Sequence, residues 1–200
     1  MAQIRSIAVI GAGALGRGIA ELSVLGGYHT ILEDILPASL RSAEAEIRGN
    51  IEQAIEQGRV TALEAHAALL RLEYASTVEQ AARGADLVIE SVPDELESKL
   101  EILTLLDKTA KPATIFAVNS MALSVTELAS VTYRAAKILG MRFKNPAHAV
   151  PFIELVRAAD TDEETMAACT EVIRRIGKQI SLVQESANSS IGSGGTALPT

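Results

Sequence analysis

The sequence predicts an α/β fold, a single domain doubly wound around a mainly parallel sheet, with additional strands near the C-terminus. Three observations carry that prediction. Short Val- and Ile-rich runs alternate with longer amphipathic ones along most of the 200 residues, the pattern of successive βαβ units. These runs lack strict polar–apolar alternation, as strands buried on both faces do. The first run opens directly into Gly11-Ala-Gly13-Ala-Leu-Gly16 and a helix-like stretch, which makes the fold Rossmann-type.

Taken in order, Ser6–Ile10 is the first strand, and the turn at Gly26-Gly27 separates its helix from a second strand, Thr30–Glu33. Pro37 to Gln57 puts Leu40, Ile47, Ile51 and Ile55 on one apolar stripe, a helix that Gly58 stops. Thr61-Ala-Leu-Glu64 has the spacing of a capping box and opens a further helix. Asp86–Glu90 is the third strand. Glu95 to Asp107 follows as a helix with Leu96, Leu100, Leu103 and Leu106 on its buried side. Thr114–Val118 is the next strand, and Ser124-Val-Thr-Glu127 reads as a second capping box. The strands Lys137–Phe143, Phe152–Val156 and Gln179–Val183 complete the sheet. Asn145-Pro146 breaks the chain after the first of these, and a helix from Thr161 or Asp162 to Ile176 precedes the last. Residues 1–184 thus make one domain, and residues 185–200, ESANSSIGSGGTALPT, a flexible Ser/Gly-rich tail.

Composition excludes several function classes. A net charge of −7 and an aromatic content of 3% lack both the basic stripe and the stacking platforms of a nucleic-acid binder. The apolar run Ile7–Ile10 is too short for a membrane span or a signal segment, so the chain reads as cytoplasmic with no membrane partner. Cys169, the single cysteine, permits no intrachain disulfide and no Cys-based zinc site, and it reads as a small buried apolar residue. His29, His66 and His148 have no metal-ligand spacing, and no metal site is expected.

The glycine motif carries the first chemistry. Its glycines allow a tight turn, close approach of a pyrophosphate and close helix–strand packing, and the helix start offers free N–H groups and a favourable dipole to the phosphates. Gly11, Gly13, Ala14, Leu15 and Gly16 are therefore the candidate phosphate-binding residues. Asp34 lies 23 positions after Gly11, close to the roughly 20-residue spacing of a ribose-binding carboxylate. A carboxylate there accepts bonds from the ribose hydroxyls and repels a 2′-phosphate, so NAD is favoured over NADP.

VIGAGALGRGIA, GYHTILEDI, DLVIESVPDELESKLEILTLLDKTAKPATIFAVNS and GMRFKNPAHAVPFIELV together resemble the cofactor-binding domain of the L-3-hydroxyacyl-CoA dehydrogenases, over nearly all of residues 4–183. The resemblance implies further cofactor contacts. Asp94 holds the position of a family glutamate near the nicotinamide ribose, and Lys99 matches a lysine of the same contact set. Asn119 ends a strand beside the nicotinamide, and Asn145 falls on the asparagine of the HFFNP-like motif and faces the cofactor. The implied reaction is hydride transfer between NAD and the C3 carbon of a 3-hydroxyacyl-CoA. It needs a base for the hydroxyl proton, a role suited to a neutral histidine oriented by a glutamate.

The glutamate is present as Glu154, but the histidine position is Arg142. A guanidinium has no acceptor lone pair and stays protonated, so it cannot serve as the base, and an Arg142–Glu154 ion pair is expected instead. Lys144 reads as a solvated cation. Where the family places a serine that touches the substrate oxygen, this chain has Met121, followed by Ala122. On the helix after Asp34, Asn50 and Gln57 stand at the family's CoA-binding serine and lysine, with Arg59 nearby as a substitute. The family's second, helical domain would begin near Glu185 with a PGF-and-NR signature, which residues 185–200 do not carry. These departures predict an NAD-binding, dehydrogenase-like protein with little turnover of an acyl-CoA. Two further readings are a dehydrogenase of another hydroxy-acid or acyl substrate, gripped by Arg142, and a non-catalytic module whose NAD binding tunes self-association, for instance as a homodimer.

Overall fold

Strand and helix alternate as the apolar runs require in the computed structural model, which describes residues 3–185. Strand β1 (Ser6–Ile10) leads into helix α1 (Ala14–Leu25), and β2 (His29–Glu33) into α2 (Pro37–Glu56) and α3 (Ala62–Leu69). Then come β3 (Leu72–Ala75), α4 (Val78–Ala82), β4 (Leu87–Glu90), α5 (Leu96–Thr109), β5 (Ile115–Val118) and α6 (Val125–Ala129). Strands β6 (Ile138–Arg142) and β7 (Phe152–Arg157), helix α7 (Glu163–Arg175) and β8 (Gln179–Gln184) finish the described chain.

The eight strands form one sheet in the order β3-β2-β1-β4-β5-β6-β7-β8. All neighbours are parallel except β6 and β7, which run antiparallel with Arg142 opposite Glu154. Alternate residues of each central strand face opposite layers. Ile7 and Val9 pack with α1, α2, α3 and α7, and Ala8 and Ile10 with α4, α5 and α6. The strand order reverses between β1 and β4, and in open α/β sheets ligands bind beyond the carboxyl ends of the strands at that reversal.

Three elements escape the sequence reading, the edge strand β3, the one-turn helix α4 that Thr77 caps through a bond from the Gln80 amide, and the 3-10 turn Ala135–Lys137 before β6. The strand expected over Lys137–Phe143 is shorter at both ends. On α5 the buried side carries Lys99 with Leu103 and Leu106, and Leu96 is partly exposed. The capping box at Thr61 and Glu64 closes in both directions. At α6 only Ser124 caps, accepting from the Glu127 amide, and the Glu185 carboxylate accepts from the Val125 and Thr126 amides, at 2.8 Å each, and from the Ser124 hydroxyl. Glu185 is thus tied to the fold, and the rest of the expected tail lies outside the described residues. Asp162 caps α7, leaving the Thr161 hydroxyl to donate to the Ile138 carbonyl. Cys169 is fully buried, and burial pushes its thiol up to about 12. Among the described residues no helix is long and apolar enough to cross a membrane, and no cluster of three or more His, Cys, Asp or Glu side chains suits a metal ion.

Candidate functional site

The carboxyl ends of β1, β2, β4 and β5 open into a cleft of about 910 Å³. The glycine loop forms one wall. Gly11 has φ of +98°, and a Cβ there would meet the Ser91 carbonyl oxygen at 2.9 Å. A Cβ on Gly16 would lie 1.9 Å from the Gly11 carbonyl oxygen, so this turn accepts no side chain. Gly13 differs. It has an ordinary φ of −65°, and beyond its adjoining chain a Cβ built on it would meet nothing within 4 Å. Nothing in the protein requires a glycine at position 13. What the missing side chain leaves open is the space beside the first turn of α1. That helix has no capping side chain, so its opening amides, including those of Ala14 and Leu15, are available to an anion. The residues present therefore fit a dinucleotide pyrophosphate.

Asp34 stands at the end of β2 where a ribose would lie. Its Oδ2 accepts from the Ala12 amide at 3.0 Å and its Oδ1 from the Leu36 amide at 2.9 Å, which fixes the carboxylate against the loop. Glu33 beside it also lines the cleft and is only 5% exposed. Burial first, and then the negative charge of Asp34, raises the Glu33 carboxyl to about 7.

At the other end of the cleft, Asp94, Asn119, Met121 and Phe143 come together. The Asp94 Oδ2 accepts from the amides of Met121 at 3.0 Å and Ala122 at 3.2 Å. Burial alone would raise this carboxyl, but the bonds from the Ser120 hydroxyl and these amides, with Lys99 nearby, hold it below its ordinary value. Asn119 accepts from the Phe143 amide through Oδ1 at 2.9 Å, joining the end of β5 to the end of β6. Lys99 lies outside the cleft lining. It is sealed beneath the floor, its Nζ 2.6 and 2.8 Å from the two oxygens of Glu90 and 3.0 Å from the Asn119 carbonyl. Burial pushes the Glu90 carboxyl up, and Lys99 and the Val92 amide oppose that push. Sequence reasoning missed Glu90, because its partner is nine residues away and only the strand-to-helix geometry aims the two at each other.

The Arg142 guanidinium is held chiefly by backbone. Its Nε donates to the Ser120 carbonyl at 2.6 Å, and its Nη1 stays 3.8 Å from Glu154. The expected ion pair is therefore loose. Lys144, expected to be solvated, takes Glu154 instead, at 3.1 Å, with its ammonium 5.1 Å from the centre of the Phe152 ring. Asn145 is exposed and does not line the cleft. Asn50 donates to Glu21 at 2.8 Å, and Gln57 accepts from Arg59 at 2.9 Å, so both are engaged within the protein. His148 is exposed, and its carbonyl accepts from Lys178.

Comparison with known proteins identifies the family of the domain that carries this cleft. The family model described as "3-hydroxyacyl-CoA dehydrogenase, NAD binding domain" matches residues 6–186. The chain is 34% identical over 184 residues to the 3-hydroxybutyryl-CoA dehydrogenase of Bradyrhizobium diazoefficiens, covering 92% of this chain and 62% of that protein. It is 29% identical over 174 residues to the 5-formyl-3-hydroxy-2-methylpyridine 4-carboxylate 5-dehydrogenase of Mesorhizobium japonicum, covering 87% and 55% of the two chains. The crystal structure of (S)-3-hydroxybutyryl-CoA dehydrogenase from Ralstonia eutropha has a TM-score of 0.88 to this chain at 29% identity, covering 92% of this chain and 65% of that one. The chain spans less than two thirds of the length of each of these relatives.

Proposed function

Since the chain belongs to the 3-hydroxyacyl-CoA dehydrogenase family, through its NAD-binding domain, we propose that it holds NAD in the cleft but has little or no turnover of a 3-hydroxyacyl-CoA. NAD is the cofactor of this family and supplies the hydride acceptor when bound. The loop from Gly11 to Gly16 and the first turn of α1 hold the pyrophosphate. Asp34 takes the adenosine ribose, and Asp94 and Asn119 stand at the nicotinamide end. Lys99 acts from below, as a positioning residue that fixes Glu90 and the Asn119 carbonyl. Asn145 belongs to this set only as an exposed neighbour of the strand end.

The single observation that carries the proposal is Arg142, placed opposite Glu154 where the family's base would stand. Oxidation of a hydroxyl requires an acceptor for its proton, and a guanidinium offers none. Glu154 does not line the cleft, and Lys144 holds one of its oxygens. Met121, 54% exposed at the same end of the cleft, brings a thioether where a hydroxyl donor would be needed. Loss of general acid–base assistance costs about 10²–10⁴ in rate. Titrating the protein with NADH and then adding acetoacetyl-CoA tests this directly. Saturable NADH binding without oxidation is expected, and rapid oxidation by the wild-type chain would refute the proposal.

A further inference from the structure

A guanidinium fixed at one nitrogen and free at the other two is a fork awaiting an oxyanion. Arg142 has that arrangement. Its Nε is spent on the Ser120 carbonyl at 2.6 Å, and its side chain is 17% exposed. Neither Nη makes a hydrogen bond among the described residues, and neither is among the buried unpartnered atoms, so both remain open to solvent. Glu154 does not use the fork. At 3.8 Å from Nη1 it is beyond hydrogen-bond reach, and its charge is met by Lys144 at 3.1 Å. Lys144 thus takes Glu154, and the Arg142 fork keeps no carboxylate within hydrogen-bond reach among the described residues. Arg142 does not itself line the cleft, but its guanidinium rests on the Ser120 carbonyl, next to Met121, which forms the wall at that end with Asn119.

We infer that Arg142 binds the free carboxylate of a small oxo- or hydroxy-acid, end-on through its two Nη atoms, with Lys144 flanking. A planar carboxylate matches the paired N–H directions of the fork, and the backbone anchor at Nε removes much of the ordering cost that a mobile arginine would meet. A neutral acyl thioester offers no such partner. The inference rests on the cofactor reading above only in identifying which end of the cleft receives the substrate.

Calorimetry with acetoacetate and its methyl ester tests it, since the ester removes the charge and keeps the rest of the molecule. NADH is titrated first, and each ligand is then titrated into protein with and without NADH. Acetoacetate is expected to bind, with the ester weaker by about tenfold or more, and Arg142→Gln is expected to lose a similar factor. Arg142→Lys, which keeps the charge and loses the fork, should fall between. Equal binding of acid and ester, unchanged binding by Arg142→Gln, or tighter binding of inorganic phosphate than of acetoacetate overturns the inference. So does an absence of acetoacetate binding in protein that binds NADH. Because the ester comparison needs no variant, a folding defect in Arg142→Gln leaves the test intact. Failure to bind NADH would count against the cofactor reading instead, and the acid–ester comparison on the cofactor-free protein then decides the inference by the same criteria.

Discussion

An ammonium sealed from water is tolerated only beside a counter-charge, and Lys99 has Glu90 at 2.6 Å. Removing one partner leaves the other charged and buried, so Lys99→Met should destabilise the fold by about 3–5 kcal/mol. The double replacement Lys99→Met with Glu90→Leu should recover most of that loss in urea unfolding. An equal loss in both variants would mean that packing, and not charge, is what Lys99 supplies. Glu33 carries the opposite consequence. Its carboxyl is raised from 4.5 to about 7, so between those values the native state holds a proton that the unfolded chain has released. Native stability from this group is therefore greatest below pH 4.5 and falls as the pH rises towards 7. Glu33→Gln, which mimics the protonated form, should match wild type near pH 4.5 and exceed it at pH 8, and urea midpoints at the two values read the difference. Neither carboxylate could be singled out from the sequence. Each is the last residue of a short apolar strand, and its burial depends on the helix that folds over it. Asp34's place on the cleft wall was legible because its distance from the glycine loop along the chain carries that information.

The glycine loop and the start of α6 show what each element takes from distant chain. At the loop, Gly16→Ala would drive a Cβ to 1.9 Å from the Gly11 carbonyl, whereas Gly13→Ala meets nothing within 4 Å beyond its adjoining chain. Gly16→Ala should therefore fold poorly. Gly13→Ala should melt near the wild-type temperature and lose NAD affinity, and full affinity in that variant would exclude a pyrophosphate at this turn. At α6, the expected Glu127 cap is absent, and the Glu185 carboxylate, 60 residues from Val125, instead takes the Val125 and Thr126 amides. Burial would raise the Glu185 carboxyl, yet the donors from Thr126, Val125 and Ser124 hold it low. Its contribution is thus present above the ordinary value of 4.5 and lost as the pH falls below the lowered one. Glu185→Gln should cost about 1 kcal/mol at pH 7, with a smaller deficit in acid. The central strands and α2, α5 and α7 were visible from their apolar runs and stripes. β3 and α4 were not, since Leu72–Ala75 and Val78–Ala82 are too short to show a period and gain their order from packing against β2 and α5.

Across the whole molecule, the two edges of the sheet are unlike. β3 is a four-residue edge, and β8 is a six-residue edge that leaves Leu182 71% exposed. An exposed apolar edge strand invites pairing with a second copy. Leu182→Lys should lower any self-association seen by light scattering, and an unchanged mass distribution would remove β8 from consideration as the contact. The sheet order places the cleft at the reversal between β1 and β4, and the antiparallel return of β7 brings Glu154 opposite Arg142. The cleft was foreseeable from the glycine motif, whereas the sharing of Glu154 between two cations depended on the β6–β7 register. A cofactor-binding scaffold with Arg142 at the proton acceptor's position should regain turnover when a histidine is restored there. The most direct test is acetoacetyl-CoA-dependent NADH oxidation by the wild type beside the double variant Arg142→His with Met121→Ser, at equal NADH saturation. Oxidation at least about a hundredfold faster in the double variant is expected. A wild-type rate equal to or above that of the double variant would contradict it.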